Sequence, residues 1–176
     1  MDLPTKAKAA REPVELAPSD ALSIQKNILK TFVGRRVGIL FSEGSDKAAI
    51  DSLRIDIEKA GGMAFLVAPK VGGLKVKGGT LKADGQLAGS PSVLFDAVAT
   101  ALAPEQATKL VHEGAAVQWI MDAFCHCKVI AHDAGSQVLL DRAGVEPDDG
   151  IVSLGDLVKA GIHRRWTREP KVRQLP

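Results

Sequence analysis

Four short apolar runs, one of them interrupted at Asp96, constrain this chain more than any other feature. Val37-Gly38-Ile39-Leu40-Phe41 is the clearest, and residues 63–68, 93–99 and 129–131 repeat the pattern. Runs this short, without polar alternation, suit strands whose two faces are both covered. Between the first two, Ala49, Ile50, Leu53 and Ile57 recur at helical spacing over residues 47–60. Ser45 or Asp46 is placed to cap that helix, and Gly61-Gly62 ends it. A strand, helix and strand in so few residues make a crossover connection, so the strands should be parallel.

The remaining elements follow the same rhythm. Gly72-Gly73, Gly78-Gly79, Asp84-Gly85 and Gly89 punctuate polar stretches over residues 69–90, which predicts a small β-hairpin insertion outside the main sheet. Pro104 suits a helix start, and residues 105–128 read as two helices or one broken near Gly114. Asp133-Ala134-Gly135-Ser136 turns into a helix over residues 137–142. Ile151-Val152 is a short strand, and residues 154–165 read as a last amphipathic helix. The alternation predicts an α/β, doubly wound sandwich with a mainly parallel sheet. Residues 1–33 read as a tether broken by Pro4, Pro13 and Pro18, and residues 34–176 as the folded domain. Leu22, Ile24, Ile28, Leu29 and Phe32 would let the tether dock on a surface.

The 176 residues are 45% hydrophobic and 25% charged, enough for one core without disulfide or metal staples. A net charge of +2 gives no strong pull toward nucleic acid or membrane. No apolar run approaches the roughly 20 residues that span a bilayer, and residues 1–20 lack the apolar stretch of a signal peptide. A soluble, cytoplasmic protein is expected.

The candidate sites read as follows. Cys125-His126-Cys127 invites a metal reading, but C-x-C on a helix does not place two thiols on one side, and no second pair exists. The glycines at 72, 73, 78 and 79 match no phosphate-binding pattern. Arg164, Arg165, Arg168, Lys171 and Arg173 form a basic tail, read as solvated or facing an interface, and Trp119 and Trp166 are the large apolar anchors, either in the core or against partner subunits. No metal or cofactor site is expected in the chain.

Several segments together resemble one family. They are Ala21-Leu22-Ser23-Ile24, the start Gly34-Arg35-Arg36-Val37-Gly38-Ile39-Leu40, Ala88-Gly89-Ser90-Pro91-Ser92, Phe95-Asp96-Ala97-Val98, and His163-Arg164-Arg165-Trp166 followed by Arg168-Glu169-Pro170-Lys171. In this order they resemble the C-terminal extension of large-subunit haem catalases. That extension is similar in fold to the flavodoxin-like ThiJ/PfpI proteins of the class I glutamine amidotransferase-like superfamily. ThiJ/PfpI enzymes carry a nucleophilic cysteine on a strained strand-to-helix elbow, supported by a glutamate from the first strand–helix loop.

The resemblance places the elbow at His132, Asp133, Ala134 and Gly135, with Asp133 at the nucleophile position and the glutamate position near Ala49. Both functional groups are missing. Asp133 could act as a carboxylate nucleophile, but capping the following helix is the better account. His132 could act as a base, but no serine or cysteine nucleophile adjoins it in the elbow. The resemblance therefore implies a non-catalytic accessory domain of an enzyme that disproportionates hydrogen peroxide at haem. The chain contains no tyrosine, the residue that holds the haem iron of catalases, so the haem belongs to the parent core. The implied partners are that core and neighbouring subunits of a homotetramer. A chaperone role toward unfolded clients is a second expectation. The rival reading is a stand-alone ThiJ/PfpI-type hydrolase or glyoxalase, which would need a thiolate at the elbow.

Overall fold

A computed structural model describes residues 7–12 and 14–172, and the side chain of Lys171 is not among the features described. Pro4, Pro13 and Arg173, singled out in the sequence, lie outside these residues. The main sheet has six strands in the order β5-β2-β1-β6-β7-β8. They are β1 (Arg36–Phe41), β2 (Met63–Ala68), β5 (Gly85–Gln86), β6 (Ala97–Ala101), β7 (Ile130–His132) and β8 (Ile151–Ser153). Every neighbouring pair is parallel. A separate antiparallel pair, β3 (Gly72–Val76) and β4 (Gly79–Ala83), is the hairpin insertion. The α/β class, the parallel sheet and the insertion all match the sequence reading.

Helices cover both faces, which is why the central strands are apolar over most of their length. On one face Val37, Ile39 and Phe41 of β1 pack with Ile50, Leu53 and Ile57 of α2 (Lys47–Lys59) and with Leu74, Val76, Leu81 and Ala83 of the hairpin. On the other, Leu40, Val67, Val98 and Ile130 meet helices α3 (Pro104–Leu110), α4 (Gly114–Cys125) and α5 (Gln137–Arg142). Trp119 of α4 is 2% exposed there, and its indole N–H donates to the Ser90 carbonyl at 2.9 Å. Trp166 is half-buried in a 3-10 turn, Trp166–Arg168, and is not a core anchor.

Three expectations are corrected. The third apolar run is not a strand from residue 93. Ser92–Leu94 is a 3-10 turn, Phe95 is buried, and Asp96 accepts from the Arg36 amide at 2.9 Å, so β6 begins at Ala97. The final helix is shorter than residues 154–165. A 3-10 turn, Leu154–Asp156, leads into α6 (Leu157–Ala160), which stops at Gly161. The chain is then redirected where the Arg165 amide donates to the Cys127 carbonyl at 2.7 Å. Finally, Phe32 is 4% exposed and part of the core, its ring lying over Gly62 and Gly161. The tether thus enters the core one residue before the expected end of the linker. Leu22, Ile24 and Leu29, around the short helix α1 (Ile24–Asn27), are 74–83% exposed.

Candidate functional site

Open parallel sheets bind ligands outside the carboxyl ends of their strands, where the winding direction reverses. Here that point lies between β1 and β6, with the loop after β7 beside it. The expected elbow is at this place. His132 ends β7, and Ala134–Ser136 forms a 3-10 turn leading into α5.

Asp133 is the N-cap. One carboxylate oxygen accepts from the Ser136 amide at 3.0 Å and from its hydroxyl at 2.5 Å. Its backbone has φ −90° and ψ 170°, relaxed extended geometry without the strain of a nucleophile elbow. The half-buried His132 places Nδ1 3.0 Å from the Asp133 carbonyl, and no nucleophile is bonded to its ring. Ala49, at the glutamate position, is half-buried on α2, and its amide joins the cap made by Asp46 at 3.4 Å. The helix cap expected at Ser45 or Asp46 falls to Asp46, which leaves Ser45 for another task.

That task is joining the ends of two neighbouring strands. The Ser45 hydroxyl donates to the Ala101 carbonyl at 2.6 Å and accepts from the Ser42 amide at 2.9 Å, tying the β1 loop to the end of β6. Gly44, at φ +76°, turns that loop against Ala103, whose methyl is 3.2 Å from where a Gly44 side chain would begin. Gly135 lies so close to the Leu102 carbonyl that any side chain would collide with it. The hairpin then covers the loop. The Gly44 amide donates to the Lys75 carbonyl (2.9 Å), Lys77 to Ser45 (2.8 Å), and Lys47 to Lys77 (3.1 Å). The hairpin is thereby fastened along the β1 loop, at the start of α2.

The Cys125-His126-Cys127 segment ends α4. Cys125 is exposed and Cys127 buried, with φ +56° at the residue after the helix cap. Burial pushes both thiols above their ordinary pKa. Asp122 adds to the effect at Cys125, whereas Arg168 and Arg164 oppose it at Cys127. Neither thiol is activated as a nucleophile. Among the described residues, no group of three His, Cys, Asp or Glu could hold a metal ion. With no tyrosine in the chain, its residues do not fit a tyrosine-ligated haem. No described helix is long and apolar enough to cross a membrane.

The described arginines of the basic tail correct the expectation of a solvated run: Arg164, Arg165 and Arg168 bond to the chain itself. Arg168, 2% exposed, pairs with Asp148 through two guanidinium nitrogens, lies 4.4 Å over the Phe124 ring, and donates to the Lys128 carbonyl at 2.6 Å. Arg165 bonds the carbonyls of Asp149 and Ala160, and Arg164 that of His126. These bonds fasten the C-terminal segment, including α7 (Glu169–Val172), beside β7 and β8. Beneath it Lys128 is 1% exposed and donates to the Ser92 carbonyl at 2.7 Å. Burial, with the Arg164 charge, lowers its pKa to about 8, although Asp96 and Asp122 pull the other way. The sequence signalled neither Lys128 nor the Arg168–Asp148 pair.

Comparison with known proteins agrees with this geometry. The model of the C-terminal domain found in long catalases matches residues 33–164. Catalase C of Rhizobium meliloti (strain 1021) is 40% identical over 169 residues, covering 90% of this chain and 24% of that protein. Catalase-B of Dictyostelium discoideum is 32% identical over 185 residues, covering 98% and 26%. The chain thus spans about a quarter of the length of these relatives. Among solved structures, a ThiJ/PfpI domain protein from Brachyspira murdochii superposes with a TM-score of 0.60 at 16% identity, over 75% of this chain and 79% of that one. That likeness concerns the fold alone. The family match, the catalase relatives and the capped elbow lead to one assignment: this chain belongs to the family of C-terminal domains of long catalases.

Proposed function

We propose that this chain is a non-catalytic accessory domain, residues 34–176 with Phe32 as its anchor and the preceding residues as its tether. It would serve a catalase whose haem lies in a separate core and whose reaction converts hydrogen peroxide to water and oxygen. Its task is to stabilise the homotetramer by packing against that core and against neighbouring subunits, in the cytoplasm. The observation that carries this reading is the elbow, where Asp133, at the nucleophile position, caps a helix from a relaxed backbone. A stand-alone hydrolase or glyoxalase would need a thiolate there, and the position holds Asp133. The purified chain mixed with hemin and peroxide is expected to give no stoichiometric Soret band and no oxygen. Methylglyoxal and ester substrates are expected to turn over no faster than in buffer. Turnover by the chain that Asp133→Ala abolishes would overturn the reading.

A second role, a holdase, rests on a different observation. Val14, Leu16, Leu22, Ile24 and Leu29 are 74–84% exposed in one stretch of tether. Such a stretch can pack on a subunit in the assembly and can bind unfolded chains when the domain is free. Light scattering of heated citrate synthase tests this. Residues 1–176 are expected to suppress aggregation better than an equal mass of albumin, and residues 32–176 to lose that advantage.

A further inference from the structure

We infer that the outer face of the β3–β4 hairpin is an electrostatic docking surface for a carboxylate-rich protein surface within the same assembly. Residues 70–83 contain Lys70, Lys75, Lys77 and Lys82 and no aspartate or glutamate. All four lysines are exposed, and none of them has a salt-bridge partner among the described residues. The register places Lys75 opposite Thr80 and Lys82 opposite Gly73, so the two charges are diagonal neighbours on one face, within mutual repulsion. The opposite face, with Leu74, Val76, Leu81 and Ala83, is sealed into the core. The three backbone bonds to the β1 loop make the hairpin a fixed platform rather than a loose loop.

The chemistry favours acidic protein over nucleic acid. The face carries no arginine for bidentate base contacts and no aromatic ring for stacking. Lysines at protein interfaces lie at the rim, where they steer and orient more than they hold. Four screened contacts are weak between free molecules, but they suffice when a tether keeps the partner at high effective concentration. The inference thus rests on the accessory-domain reading.

The test measures binding of fluorescent poly-L-glutamate at low salt to three forms of the full chain. These are the unmodified chain, a Lys70→Gln/Lys75→Gln/Lys77→Gln/Lys82→Gln variant, and a control with Lys30→Gln/Lys59→Gln/Lys109→Gln/Lys159→Gln. Thermal unfolding verifies that all three are folded. The hairpin variant is expected to bind roughly tenfold more weakly, and the control to lose much less. Equal losses in both variants, or no binding by the unmodified chain, would overturn the proposal, because net charge alone would then account for the result. Tighter, hairpin-dependent binding of duplex DNA would also overturn it, in favour of a nucleic-acid partner. None of these outcomes bears on whether the elbow is inert, which the turnover assays read separately.

Discussion

The Asp133 carboxylate is already engaged by the Ser136 amide and hydroxyl, and that engagement determines what a substitution does. Asp133→Ala should lower stability by about 1 kcal/mol, the usual cost of losing a helix cap, and Asp133→Ser should recover most of it. Thermal or urea unfolding reads this directly. Lys128 behaves differently, because its folded pKa of about 8 lies below its ordinary 10.5. Below pH 8 the buried ammonium is charged in both states, and its full desolvation penalty opposes folding. Between pH 8 and pH 10.5 only the unfolded chain keeps the proton, so stability from this group rises with pH. The melting temperature of the unmodified protein should therefore climb relative to Lys128→Met between pH 7 and pH 10. Parallel curves would show that Lys128 is not the titrating group.

Elements were legible where their signals were local. The start of α3 at Pro104, the extent of α5 and the Asp46 cap of α2 depend on residues within a few positions of each other. The C-terminal segment was not legible. Its arginines look like a solvated run because the groups that hold Arg168 are 20 and 40 residues away, in a loop and before β7. The same holds for β6, whose late start depends on Asp96 bonding Arg36 sixty residues earlier. At the elbow, the cap was legible in Asp133 itself, whereas the attachment of the hairpin to the β1 loop was not, since it runs through backbone bonds of Lys75 and Lys77. Arg168→Met should strand the Asp148 carboxylate, whose side chain is only 26% exposed, and cost about 3 kcal/mol. Burial alone would raise Asp148, but hydrogen bonds from Arg168 and Gly150 and the charges of Arg168 and Arg165 hold it below its ordinary pKa. That contribution is present above the unfolded carboxylate range and lost as pH falls through the lowered value. The variant should therefore show a weaker loss of stability on acidification.

At the scale of the molecule, two apolar layers close around one sheet, and Phe32 seals the entry of the tether. Residues 32–176 should unfold in a single cooperative transition within a few degrees of the full chain, since the residues before them add little buried surface. A fragment beginning at residue 35 should melt lower, because it lacks the Phe32 ring. The central claim is that this domain supports an assembly without taking part in its chemistry. The most direct measurement compares the proposed parent catalase, carrying this domain, with the same polypeptide ending before the tether. Haem content, peroxide turnover per haem, oligomeric state and half-inactivation temperature are read on both. The account predicts that the shortened enzyme binds haem and turns over peroxide at a comparable rate per haem, but loses its tetramer or its heat resistance at lower temperature. Unchanged assembly and heat resistance, or turnover lost while haem and tetramer remain, would contradict it.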